Sequence, residues 1–148
     1  MSDRAYLAVL RHGCVLQKHT VYAATPRSPS VARWWLPGGG LLPGESFAEG
    51  AAREAREEIG CAVILGPVLE VMEFLETETG VRSVHLVFSA QLASDDEPIV
   101  PSDQPEDPGS GRVTELRWLP VNDWPEAPQW LRAAVRGELQ CAYVVRRV

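Results

Sequence analysis

The sequence predicts a mixed α/β (α+β) domain, and three observations carry that prediction. Several short apolar runs have the length and composition of strands. One segment, from Ser46 to Gly60, has the periodicity and both end signals of an amphipathic helix. Gly and Pro punctuate the chain between these segments, so that strands and helices mix along it.

Taken in order, Tyr6–Leu10 reads as a strand and Cys14–Gln17 as its partner, with His12-Gly13 as the tight turn between them. Ala23–Arg33, with Pro26 and Pro29, reads as a loop. The short, bulky Trp34-Trp35-Leu36 leads into Pro37-Gly38-Gly39-Gly40, which is expected to be a bare turn, neither helix nor strand interior. Pro43-Gly44-Glu45 is a second turn. Ser46 then caps a helix, with Glu49 three residues on in the capping-box position. Ala48, Ala51, Ala52, Ala55 and Ile59 give that helix a narrow apolar stripe, and Gly60 ends it.

Beyond the helix, Cys61–Leu65, Val68–Leu75 and Val84–Leu92 read as separate strands, the last two joined at Thr79-Gly80. The segment from Ala93 to Gly111 holds four Pro and six Asp or Glu, which predicts a mobile surface loop. Val113–Leu119 reads as a strand. A second helix starts near Pro128 and turns Trp130, Leu131, Ala134 and Val135 to the core. Ala142–Val148 is either a last strand or an extended arm. Trp34 and Trp118 are read as core residues, and His85, in an apolar strand, as a hydrogen-bonded histidine rather than a ligand.

The chain has 148 residues, 45% of them hydrophobic and 23% charged, which suits one globular domain spanning 1–148. Its net charge of −6 argues against a coat for a nucleic-acid polymer, which needs Lys and Arg in excess. It leaves room for a small phosphorylated substrate if a divalent cation supplies positive charge locally. The three cysteines, Cys14, Cys61 and Cys141, lack CxxC spacing and suggest neither a disulfide framework nor a zinc site. With no signal peptide and no apolar run long enough for a membrane span, a cytoplasmic protein is expected.

The chemistry concentrates in GGLLPGESFAEGAAREAREEIGC, Gly39 to Cys61. Glu54, Glu57 and Glu58 stand at i, i+3 and i+4 and fall within about 100° of one another around the helix. Like charges at this spacing repel. Arg53 and Arg56 offset part of that repulsion, and a hard divalent cation such as Mg²⁺ or Mn²⁺, which prefers oxygen ligands, offsets it better. The acidic group is displaced from the Ala stripe by roughly a third of a turn, so one face packs while the other borders a cleft. The glycine turn upstream brings bare backbone toward that cation.

These residues resemble the Nudix box: Gly, five residues, Glu, seven residues, Arg-Glu, an aliphatic, any residue, Glu-Glu, any residue, Gly, an aliphatic. Gly39, Glu45, Arg53, Glu54, Glu57, Glu58 and Gly60 occupy its charged and glycine positions, with Ala55 and Cys61 at the aliphatic ones. Trp34-Trp35-Leu36-Pro37-Gly38-Gly39 is similar to the tryptophan and Pro-Gly-Gly approach to that box. The resemblance implies an α/β/α sandwich around a mixed sheet. It also implies a hydrolase cleaving the diphosphate of a nucleoside diphosphate joined to another group. Substrates in range are a nucleoside triphosphate, ADP-ribose or another nucleotide sugar, a dinucleoside polyphosphate, or coenzyme A.

By the same resemblance Glu54, Glu57 and Glu58 hold the metal, with the Gly39 carbonyl as a further ligand. Arg53 and Glu45 orient the catalytic Glu, which is Glu54 or Glu57. A loop acid is the alternative base: Glu106 or Asp107, with Glu115 nearer the next strand's Trp118, because Arg112 stands where many relatives carry Glu. Trp35, Gly38, Gly39, Gly40 and Arg82 are the expected substrate contacts. The expected partner is a small nucleotide-type molecule, with no membrane and no nucleic-acid polymer; a homodimer is left open. The rival reading is a catalytically weak Nudix-like sensor that binds a nucleotide without turnover.

Overall fold

A computed structural model describes residues 2–104 and 111–148. Strands β1 (Arg4–Arg11) and β2 (Cys14–Tyr22) form the expected hairpin, closed by His12 and Gly13, both with positive φ. Then follow β3 (Val31–Trp35), β4 (Gly38–Gly40), α1 (Phe47–Ile59), β5 (Val63–Leu75), β6 (Arg82–Leu92), β7 (Arg112–Pro120), a single 3₁₀ turn (Val121–Asp123), α2 (Gln129–Val135) and β8 (Ala142–Arg147).

The sheet runs β3-β2-β1-β6-β5-β8, with β4 also on β1 and β7 also on β2. It is mixed: β1 lies parallel to β6 and β5 parallel to β8, while the other pairs are antiparallel. Alternation along β1 divides the core between the two faces. Ala5, Leu7 and Val9 pack with Leu16, Ala51, Ala55 and Ile59 on the α1 side. Tyr6 and Ala8 pack with Leu36, Leu69, Trp130 and Leu131 on the α2 side. A fully buried Leu such as Leu7 or Leu131 contributes about 1.5–3 kcal/mol. This is the helix–sheet–helix layering that the Nudix-box resemblance implies.

The predicted α1 is observed over Phe47–Ile59, with the Ser46 hydroxyl accepting the Glu49 amide at 3.1 Å and Gly60 in the left-handed conformation. In α2, Trp130, Leu131 and Ala133 are buried, while Ala134 and Val135 pack half-buried against the same cluster.

Several expectations need correction. Gly38–Gly40 is a strand, paired antiparallel with Arg4–Tyr6, rather than a bare turn. Glycine is what permits the pairing. Gly38 has φ 145°, and a Cβ on it would stand 2.6 Å from the Tyr6 Cα, closer than any other residue tolerates. Cys61–Leu65 and Val68–Leu75 are one strand, β5, because Gly66-Pro67 is absorbed where the register with β6 shifts. β2 continues past Gln17 to Tyr22, and β3 begins at Val31, inside the expected loop. The tail is a strand, β8. Trp118 packs half-buried against the α1-side core, with the Arg11 guanidinium 4.1 Å over its ring, whereas Trp34 is half-buried rather than core, under the Arg117 guanidinium at 4.0 Å. Residues 93–104 do not stand off as a free loop: Ile99 donates to the Ile59 carbonyl, and the Gln104 amide makes both a donor and an acceptor bond to the Val113 backbone.

Candidate active site

The site lies where β4, α1 and β2 meet. Pairing with β1 fixes β4 in the sheet, and the Ala51, Ala55 and Ile59 stripe seats α1 on the same strand. The carboxylates of α1 therefore face a cleft of about 500 Å³, lined by Glu54, Glu57, Glu58, Arg53, Gly38–Gly40 and Trp35 among others. Glu54 is 8% exposed, and its Oε1 lies 2.7 Å from where a Cβ on Gly39 would be. The three acids thus border the cleft and the glycine segment together.

Arg53 organises one side. Its Nε and Nη2 form a fork on Glu45, at 2.8 and 2.9 Å. Nη2 also donates to the Gly40 carbonyl at 2.9 Å, and Nη1 to Glu54 and Glu57 at 3.1 Å each. All five guanidinium donors are thereby used. Glu45 accepts the Leu42 amide as well, which fixes the turn preceding the helix. The Arg53 hydrogen bonds, helped by that amide, pull the Glu45 carboxyl down to about 2.

The other side belongs to a residue the sequence reading passed over. Lys18 of β2 is buried, and its Nζ donates to Glu58 Oε2 at 2.6 Å and to the Gly38 carbonyl at 3.0 Å. Glu58 Oε1 accepts the Gly38 amide at 2.6 Å. Burial pushes the Glu58 carboxyl upward, opposed by Lys18 and the Gly38 amide. Glu54 is pushed up to about 7, first by burial and then by the charge of Glu58, with Arg53 pulling the other way.

The donor set suits a hard divalent cation: three partly buried carboxylates on one helix turn, beside exposed backbone oxygen. As arranged here their oxygens are turned onto Arg53 and Lys18. Among the described residues no three acidic, His or Cys side chains already converge into a ready ligand group. The carbonyls on either side of Gly39, those of Gly38 and Gly40, are each engaged by a cation, Lys18 and Arg53 respectively.

A family model described as the NUDIX domain matches residues 3–137. The chain belongs to the Nudix family. That membership makes it a hydrolase by class. A search of curated proteins finds no match. Among solved structures, the Nudix chain is similar to a MutT Nudix hydrolase from Burkholderia pseudomallei, at 25% identity over 91% of this chain and 95% of that one, with a TM-score of 0.61. It is similar to a Nudix hydrolase from Nitrosomonas europaea, at 18% identity, 93% and 90% coverage and a TM-score of 0.66. It also resembles an ADP-ribose pyrophosphatase from Streptococcus suis, at 13% identity, 95% and 96% coverage and a TM-score of 0.65. The last two likenesses bear on the fold.

Within this Nudix site, the structure brings together Glu45, Arg53, Glu54, Glu57, Glu58, the Gly38–Gly40 strand and Trp35. It does not bring Arg82 with them. That side chain is exposed on β6, 3.5 Å from Glu73, and does not line the cleft. Glu115 stands opposite His19 on β7, and by strand alternation the His19 face is the one turned away from Lys18. Glu106 and Asp107 lie outside the described residues. Besides Lys18, the sequence reading missed Arg4, Tyr6, Tyr22 and Arg33 on the cleft wall. For Lys18 the available signal was period 2: it shares a face with Leu16 and Thr20, which only a longer β2 reveals.

Proposed function

We propose that the chain is a metal-dependent hydrolase that cleaves the diphosphate linkage of a small nucleotide-type substrate, with Mg²⁺ or Mn²⁺ as the cation. The single observation that carries this reading is the gathering of Glu54, Glu57 and Glu58 at one cleft, beside the Gly38–Gly40 strand. Glu54, Glu57 and Glu58 would hold the metal, which lowers the pKa of the attacking water and neutralises phosphoryl charge; the backbone oxygen beside them is that of Gly38, since the Gly39 carbonyl turns toward Ala5 of β1.

The residues of the chain do the rest. Glu45 anchors Arg53, and Arg53 keeps Glu54 and Glu57 side by side. One of the two acids that Arg53 holds, Glu54 or Glu57, takes the proton of water. The water oxygen bonds to one phosphorus, the bridging P–O bond breaks, and the leaving phosphate carries away the electron pair. Trp35 and the Gly38–Gly40 backbone border the space for substrate. One domain spanning 1–148, acting in the cytoplasm on a small molecule, fits this reading; no described helix is long and apolar enough to cross a membrane. A non-hydrolysing sensor is less favoured, because every box carboxylate is kept and Glu54, Glu57 and Glu58 border the cleft.

The test is Mg²⁺- or Mn²⁺-dependent turnover over a panel of nucleoside triphosphates, nucleotide sugars and dinucleoside polyphosphates. Glu57→Gln is expected to lower kcat by at least about a hundredfold with an unchanged circular-dichroism spectrum. Full activity in that variant would remove Glu57 from the chemistry. Tight nucleotide binding without turnover in the metal-loaded wild type would favour the sensor.

A further inference from the structure

Lys18 is the cleft's unusual feature. A lysine that is 6% exposed is rare unless its charge is paired, and here its carboxylate partner is Glu58. The two cations of the site are held differently. Arg53 is locked by the Glu45 fork and the Gly40 carbonyl, independently of Glu54 and Glu57. Lys18 rests on Glu58 and one carbonyl, at the end of a flexible four-carbon stem. Charge decides what this arrangement permits. Within the salt-bridged group alone, apart from Arg4 and Arg33 on the cleft wall, Glu45, Glu54, Glu57 and Glu58, when ionised, supply four negative charges and Arg53 with Lys18 two positive, leaving minus two. One divalent ion neutralises that group's remainder.

Resting on the metal-dependent reading above, we propose that Lys18 is a built-in counter-cation that competes with the divalent ion for Glu58. Once displaced, its ammonium is released to a phosphate oxygen of the substrate. A divalent ion on the Glu58 oxygen that holds Lys18 at 2.6 Å would sit within a few ångströms of the ammonium, and the two positive charges repel. Ion binding therefore pushes Lys18 off Glu58, and the anionic substrate supplies the place for it to go. Ion and diphosphate then favour each other's binding through this one side chain, a reciprocal coupling of the kind that typically spans about 5–150-fold in affinity.

The experiment titrates Mn²⁺ into chelator-stripped protein, read by electron paramagnetic resonance of free Mn²⁺, with and without the non-hydrolysable α,β-methylene ADP. In Lys18→Met, Mn²⁺ alone is expected to bind roughly tenfold or more tightly than in the wild type, and the enhancement by the analogue is expected to shrink. In Lys18→Arg, whose fork grips a carboxylate more firmly, Mn²⁺ alone is expected to bind several-fold more weakly. The arginine variant serves as the test if the methionine variant does not fold after stripping. Mn²⁺ affinity in Lys18→Met that is unchanged or weaker, or affinity in Lys18→Arg that is unchanged or stronger, overturns the competition. Wild-type protein that binds no Mn²⁺ at all overturns the hydrolase reading instead.

Discussion

Replacing Arg53 by Lys keeps the charge and removes the fork. The guanidinium makes five hydrogen bonds, two to Glu45 and one each to Gly40, Glu54 and Glu57. An ammonium has three donors and cannot span Glu45 and the pair Glu54–Glu57 at once. At least two charge-assisted bonds are lost, each worth about 1.5–3 kcal/mol. The Arg53 side chain is 21% exposed, so water recovers part of that, and a net loss of about 2–4 kcal/mol is expected. For a chain of this size such a loss lowers Tm by roughly 6–12 °C. Activity is expected to fall further than stability alone explains, by about a hundredfold or more in kcat, because Glu54 and Glu57 lose their common tether. The assay is urea and thermal unfolding of Arg53→Lys at pH 7, with metal-dependent turnover measured well below its Tm. Stability within about 0.5 kcal/mol of wild type together with wild-type kcat would refute the view that this guanidinium organises the site.

Two other outcomes follow from the same geometry. A methyl at Gly50 would meet the Leu41 side chain and stand 3.0 Å from Glu45 Oε1. Gly50→Ala, which ordinarily stabilises a helix interior by up to about 1 kcal/mol, is thus expected to destabilise this one and to lower kcat, checked by unfolding and turnover; a gain in stability would contradict the packing. The Glu54 carboxyl, raised from 4.5 to about 7 by burial and by Glu58, must lose its proton to bind metal. Mn²⁺ affinity is therefore expected to rise about tenfold per pH unit as pH approaches 7 from below and to level off above it, with proton release visible by calorimetry in buffers of different ionisation enthalpy. By sign, a raised carboxyl pKa makes the folded, metal-stripped protein hold a proton that the unfolded chain has lost. Its contribution to stability is fully present below about 4.5 and is lost as pH rises through about 7.

The chemistry of α1 was legible because it is local. Ser46, Glu49, the Ala stripe and Gly60 specify a helix through bonds within a few residues, and helix geometry alone then places Glu54, Glu57 and Glu58 on one side. What escaped the reading is what other strands bring to the site. Lys18 reaches Glu58 from a strand 40 positions away, and nothing in the run Gln17-Lys18-His19 says that its middle residue points inward until the register of β2 is known. Gly38–Gly40 reads as a turn because side chains are the usual signature of a strand. This one exists for its backbone, which approaches Tyr6 too closely for a Cβ. Gly66-Pro67 looked like a break between two strands, yet the β5–β6 pair accommodates it as a bulge. Trp34 reads as core because of its bulk, but it lies half-buried beneath Arg117, two strands away across β2.

The most direct measurement is hydrolysis of the nucleotide panel in ¹⁸O-labelled water, with Mg²⁺ or Mn²⁺ and then with excess chelator. The structure leads us to expect turnover of at least one diphosphate-containing substrate, abolished by the chelator, with the label in the phosphoryl group of a single product. Turnover that survives metal removal, or a fully folded, Mn²⁺-binding protein that cleaves no member of the panel, would contradict it.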